Sequence, residues 1–159
     1  MKQLAAITAF ITSLNLVAAE QVDGWVENPK IVPSATSKGV GGMILFRQTY
    51  TAVLIVERYP HKVHPAELLF AHISAWLIDN DGDRFDDKDA EITTDVDILD
   101  DETADITISI DFIEEVGITE DPAGPITLAG IRYRLGNPII HYALEGDLHE
   151  PVDWVGEAP

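Results

Sequence analysis

The chain has 159 residues, of which 46% are hydrophobic, so it is long enough for one domain with a buried core but short for two. Its formal net charge is −18, and the segment 79–121 alone holds 18 of the 28 acidic residues, so we expect the chain to repel phosphate backbones and not to bind nucleic acid specifically. The absence of cysteine excludes disulfides, thiolate metal sites and cysteine nucleophiles.

The N-terminal segment 1–19 admits two interpretations. Lys2, the apolar stretch after it and the sequence Val17-Ala18-Ala19 resemble a secretory signal peptide with a small-residue cleavage site. However, apolar residues also recur at helical spacing, at Leu4, Ile7, Ile11, Leu14 and Ala18. This second pattern favours an amphipathic helix that stays attached and lies on a core. No other segment is long and apolar enough to predict a membrane span.

The next part of the chain is typical of β structure. Gln21–Glu27 predicts a short strand that ends at Asn28-Pro29, and 30–42, with its prolines, serines and glycines, predicts a loop. From Met43 to Arg58 apolar residues alternate, which predicts either one long strand or a tight pair of strands.

A strongly apolar helix is predicted next. Pro65 fits its first turn, it runs to about Ile78, and only Glu67, His72 and Ser74 interrupt its apolar surface. A helix that is apolar nearly all round must be covered on most sides. The apolar surface that one small domain would leave uncovered favours a subunit contact, although a helix between the sheet and the tail of the chain is an equal alternative. The candidate contact residues are Leu68, Phe70, Ile73 and Trp76.

The segment 91–116 predicts two alternating strands around a turn at Asp100–Ala104. Apolar residues share one parity, at Ile92, Val96, Ile98, Ile106, Ile108, Ile110 and Phe112, so we expect this face to be core. The opposite face carries the four candidate acidic residues, Asp95, Asp97, Asp105 and Asp111. If Ile98 lies opposite Ile106, then Asp97 lies opposite Thr107, and no two carboxylates face each other across the strands.

The C-terminal part predicts one more strand and an arm. Segment 117–125 is typical of a linker, Ile126–Leu135 predicts the last strand, and glycines and prolines punctuate 136–159. We therefore expect one domain over residues 1–135 and an extended arm over residues 136–159. The expected fold class is α+β, with a mainly antiparallel sheet covered by two helices.

A calcium site is the first chemical possibility. The sequence Asp79-Asn80-Asp81-Gly82-Asp83 has clustered oxygen ligands, as hard cations require. Its sixth position is Arg84 instead of glycine, and its twelfth is Ala90 instead of glutamate. We expect a solvated loop and no specific metal site.

Other catalytic patterns fail as well. His61, His64 and Glu67 lack the spacing of a zinc protease, and the glycines of 39–42 lack the lysine and the following helix of a phosphate loop. No nucleophile elbow occurs, and the many acidic residues single out no acid–base pair. We expect no cofactor and no enzymatic activity.

Several segments, taken in order, resemble one known family. They are Leu4–Ala6, Val22–Glu27, Leu54–Glu57, Ile73–Leu77, Asp95–Asp101, Ala104–Asp111 and Glu114–Val116. Over roughly residues 2–116 they resemble the tail completion protein R family of peduovirus-type contractile-tailed phages, which is similar to the tail terminators.

The resemblance implies a structural virion protein that completes or caps the head-proximal end of a contractile tail and enables head–tail joining. It implies a homo-oligomeric ring, typically of six subunits, through which DNA can pass. Its implied partners are tail tube and sheath proteins and a neck or head-completion protein, with no membrane contact. The implied location is the tail or neck of the virion, after assembly in the host cytoplasm.

Two other functions remain as alternatives. One is another neck or head–tail connector protein, which the same composition and fold class would suit. The other belongs to a different class, a secreted acidic binding module whose Asp79 loop holds calcium.

Overall fold

The computed structural model describes residues 1–39, 41–82, 84 and 90–136. Two helices, α1 (Lys2–Ser13) and α2 (Ala66–Asn80), and a short 3₁₀ turn (Ala19–Gln21) accompany the sheet. The strands are β1 (Val22–Ser37), β2 (Gly42–Tyr59), β3 (Thr93–Ile98), β4 (Ala104–Glu120), β5 (Ile126–Leu128) and β6 (Ile131–Leu135). The expected α+β class is confirmed. Apart from Gly136, the predicted arm 136–159 lies outside the described residues.

All the strands belong to one antiparallel sheet built on the two long strands β2 and β4. β1 pairs with the far side of β2. On the far side of β4, β3 pairs with Ala104–Ser109 and β6 pairs with Ile118–Glu120, and β5 then pairs with β6. The sheet therefore ends in β1 on one side and in β3 and β5 on the other.

The core lies between the two helices and one face of the sheet. Even-numbered residues of β2 and β4 point to this side, as the predicted alternation requires. The fully buried members include Leu54, Val56, Ile106, Ile108, Ile110 and Phe112 from the sheet, and Ile7, Ile11, Leu69, Ile73 and Leu77 from the helices. Because each such side chain contributes about 1.5–3 kcal/mol on burial, this face is the main source of stability.

The N-terminal segment is part of this core. Ile7 and Ile11 of α1 are 0% and 2% exposed, so the predicted helical spacing corresponds to a core-facing helix over Lys2–Ser13. The helix ends at Ser13, earlier than the repeat up to Ala18 predicted. Gly24 of β1 permits its close approach, because a Cβ there would lie 3.0 Å from the side chains of Leu4 and Leu54. No helix among the described residues is long and apolar enough to cross a membrane.

The predicted end of the first strand at Asn28-Pro29 is wrong. The register shifts between Glu27 and Lys30, and Asn28 adopts a positive φ of 50°, so the two residues form a bulge. Pairing with β2 then resumes at Lys30 opposite Thr49. Residues 30–37, predicted as loop, are strand because β2 pairs with Lys30–Pro33 and, after a second register shift, with Thr36 and Ser37.

Two further boundaries differ from the expectations. β4 continues through the predicted break and ends at Glu120, since β2 and β6 pair with its last residues. The predicted last strand is a hairpin of β5 and β6 around Ala129-Gly130. Both turn residues have positive φ, 50° and 80°, which is the two-residue turn that suits a twisted hairpin.

Candidate functional site

The four candidate acidic residues lie on the same face of the sheet, opposite the helices. Asp95 pairs with Thr107 and Asp97 with Asp105 across β3 and β4. Asp111 pairs with Thr51 of β2, whose hydroxyl donates to its carboxylate at 2.6 Å. The predicted alternation therefore places all four carboxylates on the solvent side.

The predicted register of this hairpin is wrong by two residues. Ile98 lies opposite Ala104 instead of Ile106, so Asp97 directly faces Asp105. The loop is shorter than predicted because the carboxylate of Asp100 accepts hydrogen bonds from the backbone N–H groups of Glu102 (2.8 Å) and Thr103 (2.7 Å). These bonds lower the pKa of Asp100. A slip by two keeps every side chain on its predicted face.

A hydrogen bond from the neighbouring strand β2 partly offsets the repulsion between Asp97 and Asp105. The backbone N–H of Arg58 donates to the Asp105 carboxylate at 2.9 Å. Arg58 can do so because β2 bulges there, with a positive φ of 51°. This contact compensates part of the like-charge repulsion that the register creates.

Two acidic residues of β1, Asp23 and Glu27, extend this surface. They share the outward parity of β1 with Trp25, whose indole N–H donates to Glu27 at 3.0 Å. Together with the four predicted residues they form what we call the acidic face: Asp23, Glu27, Asp95, Asp97, Asp105 and Asp111. Sequence analysis missed the first two, although the alternation of Asp23, Trp25 and Glu27 carried the signal.

The acidic face has the electrostatics of a phosphate-repelling surface. Asp23, Trp25 and Glu27 each begin a row of residues that are paired from strand to strand across the sheet. On β2, β4 and β3 these rows hold only Ile, Val, Thr, Ser and Asp. No lysine or arginine of the described residues occupies these rows. Such a surface disfavours adhesion of a nucleic-acid backbone.

The apolar surface of α2 is largely used within the subunit. Ile73 is 1% exposed, so this candidate contact residue belongs to the core. Phe70 and Trp76 are half-buried against the core, and Phe10 of α1 stacks on Trp76 with ring centroids 6.2 Å apart. Of the four candidate residues, Leu68, Phe70 and Trp76 therefore keep surface that another subunit can contact.

A carboxylate on the core side of β4 anchors the start of α1. Glu114 accepts hydrogen bonds from the Tyr50 hydroxyl (2.6 Å) and the Gln48 amide (2.9 Å). It also accepts from the backbone N–H groups of Gln3 (2.7 Å) and Lys2 (3.2 Å), which have no partner inside the helix. The carboxylate thus acts as the cap of a helix that has no capping side chain of its own.

The protonation of this cluster follows from its hydrogen bonds. Burial alone would raise the pKa of Glu114, but the bonds donated by Tyr50, Gln3, Gln48 and Lys2 outweigh it and lower the pKa. Burial and the bond to Glu114 raise the pKa of Tyr50. Sequence analysis missed this site, although Glu114 is an acidic residue at a core parity of β4.

Two of the potential metal ligands, Asp81 and His61, make other contacts. Asp81 pairs with Arg84 at 2.9 Å, and Arg84 lies over the Phe112 ring and donates to the Asp111 carbonyl. His61 contacts the carbonyl of Asp100 at 3.3 Å. Within the described ranges, which leave out Asp83 and 85–89, no group of three or more His, Asp or Glu residues is arranged to hold a metal.

Comparison with known proteins identifies a family for this chain. The family of the P2 phage tail completion protein R (GpR) matches residues 1–138, a range that includes every described helix and strand. No curated protein and no solved structure matches the chain. Because the match spans most of the chain, this protein belongs to the P2 phage tail completion protein R family and is a structural component of a phage tail.

Proposed function

We propose that this protein caps the head-proximal end of a contractile tail as a ring of identical subunits, and that the finished ring allows the tail to join the head. The ring is expected to have six subunits, as tail terminators typically do. Family membership supports the tail role and disfavours the secreted calcium-binding alternative.

The asymmetry of the sheet is the observation that supports a ring. A closed ring of identical subunits uses head-to-tail contacts, so each subunit must offer two different surfaces. Among the described residues, β1 is an unpaired edge on one side of β2, and β3 is an unpaired edge on the far side of β4. The two edges differ in sequence and length, so they can supply the two different surfaces of a head-to-tail contact.

The remaining surfaces can be assigned in the same terms. Most of the acidic face would stay exposed after ring closure, since burying its carboxylates without cations would be costly. DNA passing such a surface would be repelled and would not adhere. The exposed parts of Leu68, Phe70 and Trp76 would contact the tail tube and sheath proteins or the neck, during assembly in the host cytoplasm.

Deletion of the gene from its phage tests the proposal. We expect unjoined heads together with defective or misregulated tails, and recovery when the gene is supplied from a plasmid. Infectious particles at wild-type yield, with tails of normal length, would show that the protein does not complete the tail.

The connector alternative needs a second measurement. Tails assembled in infections that make no heads should contain the protein at one end, visible by antibody labelling in electron micrographs. A neck or connector protein would instead be found on filled heads and be missing from free tails.

A further inference from the structure

Strand β3 exposes apolar residues on the side of the sheet that elsewhere forms the core. Val96 pairs with the fully buried Ile106, yet it is 39% exposed, and Ile98 is 58% exposed. Leu99, directly after the strand, is 45% exposed. Among the described residues neither helix covers this strip. An uncovered apolar edge strand is a typical site of association.

The distal part of the β1–β2 hairpin, residues 28–56, carries only basic charges. From Asn28 to Val56 the chain has no acidic residue, although the whole protein carries a net charge of −18. The same stretch holds Lys30, Lys38 and Arg47, and none of the three forms an ion pair with a described residue. It also exposes Ile31 (63%) and Val32 (54%).

We propose that the β1–β2 hairpin of one copy docks on β3 of the next copy in the ring. This inference rests on the proposed function, because it supplies the head-to-tail contact that the ring requires. The β3 strip is thus covered by a second copy of this chain. Charge complementarity favours this occupant, because the basic distal part of the hairpin meets an acidic edge strand within one otherwise acidic protein.

The faces of the two strands match as well as their charges. Ile31 pairs with Gln48 on the core side of the sheet, where Val96 and Ile98 also lie. Lys30 points to the opposite side, which is the side of Asp95 and Asp97. If the two sheets continue one another, apolar side chains meet on one face and lysine meets aspartate on the other.

Side chains, more than backbone hydrogen bonds, must hold this contact. Pro29 and Pro33 lie in the exposed edge strand β1 and have no N–H to donate to a neighbouring strand. Prolines and lysine on an edge also protect it against unspecific strand pairing. The contact is therefore selective for a surface with the complementary charges.

Site-directed cross-linking tests the contact directly, because the chain has no cysteine. One variant carries Ile31→Cys and a second carries Ile98→Cys; both are supplied together to the deletion phage, and assembled tails are treated with a short bismaleimide. We expect cross-linked dimers that contain one copy of each variant. Ile31→Cys together with Val63→Cys, whose side chain is 72% exposed, is the matched control.

The outcomes separate this interface from the proposed function. Functional tails whose Ile31→Cys/Ile98→Cys yield does not exceed the control would overturn the interface and leave the tail role intact. Cross-links between β3 and a tube or neck protein would overturn it as well. If infectious particles form without the protein, the proposed function fails first.

Charge exchange provides an independent readout. Lys30→Glu with Lys38→Glu, or Asp95→Lys with Asp97→Lys, should each lower the complementing titre at least tenfold. All four changes together should restore the titre to within a fewfold of wild type, and a combination no better than either pair would contradict the contact. Urea unfolding of each variant shows whether it remains folded, and a folded variant that keeps full titre also counts against the interface.

Discussion

The anchor at Glu114 yields the sharpest stability prediction. Glu114→Ala removes an acceptor that four donors share: Tyr50, Gln48 and the first backbone N–H groups of α1. Losing a helix cap costs about 1 kcal/mol, and losing hydrogen bonds to a buried charge adds about 1.5–3 kcal/mol, partly recovered where water can enter. We expect a loss of about 3 kcal/mol, or roughly 6–12 °C in Tm for a domain of this size.

The Glu114 anchor also predicts how stability depends on pH. The folded pKa of Glu114 lies below its ordinary value of 4.5, so the carboxylate contributes stability that is complete above about pH 4.5. This contribution is lost as the pH falls through the lower, folded pKa. Glu114→Gln removes the titrating group, so the variant should be less stable than wild type at pH 7 and should lose less stability on acidification.

Urea unfolding followed by tryptophan fluorescence and far-UV circular dichroism measures both effects. Glu115→Gln is the matched control, because Glu115 is the exposed neighbour on the outward side of β4 and should change stability by less than about 0.5 kcal/mol. Tyr50→Phe combined with Glu114→Gln should show a coupling of about 1 kcal/mol. Equal losses in Glu114→Gln and Glu115→Gln, or identical acid profiles in Glu114→Gln and wild type, would refute the anchor.

Three further predictions concern packing, register and a turn. Ile73→Ala should destabilise the isolated subunit by about 2–5 kcal/mol in urea unfolding, whereas Ile78→Ala, at a site that is 60% exposed, should cost less than about 0.5 kcal/mol; similar losses would mean that Ile73 is not core. Asp97→Asn should raise Tm at low salt by about 1–2 °C, because it removes the carboxylate opposite Asp105. Asp95→Asn, opposite Thr107, should not raise Tm. A rise that persists in about 1 M salt would contradict an electrostatic cause. Ala129→Asn places Asn-Gly in the β5–β6 turn and should stabilise the protein by about 0.5–1 kcal/mol in thermal unfolding; a loss of stability would argue against the two positive φ angles.

The parts of the fold that were predictable are those set by periodicity. The alternation in β4 and the helical spacing of Ile7 and Ile11 each report which side of an element is buried, and the structure confirms both. A side-chain period does not report where a strand ends. Pro29 ended the prediction of β1 because a proline usually interrupts pairing, but a bulge carries the chain past it when the partner strand continues.

The register and the anchor needed information from outside each element. Whether Ile98 faces Ala104 or Ile106 depends on the hydrogen bonds of Asp100 inside the loop, and both registers keep the same faces. Glu114 occupies a core position because the start of α1, more than a hundred residues earlier, supplies its donors. Alternation alone predicts an unpaired acid there, so an acidic residue at a core parity indicates a distant partner.

The residues that stabilise the fold and the residues of the proposed contact between copies lie in different parts of this subunit. α1, α2 and the core-facing residues of β2 and β4 hold most of the fully buried side chains, whereas the exposed apolar residues of the proposed contact between copies lie on and beside the edge strands β1 and β3. Because Ile31 and Ile98 are 63% and 58% exposed, substitutions at these positions should cost the folded subunit little stability. Substitutions there should alter assembly in the phage without lowering the urea midpoint, whereas substitutions at Glu114 or Ile73 should lower the midpoint first and assembly as a consequence. A subunit that must stay folded before it assembles, as the proposed function requires, is well served by this separation.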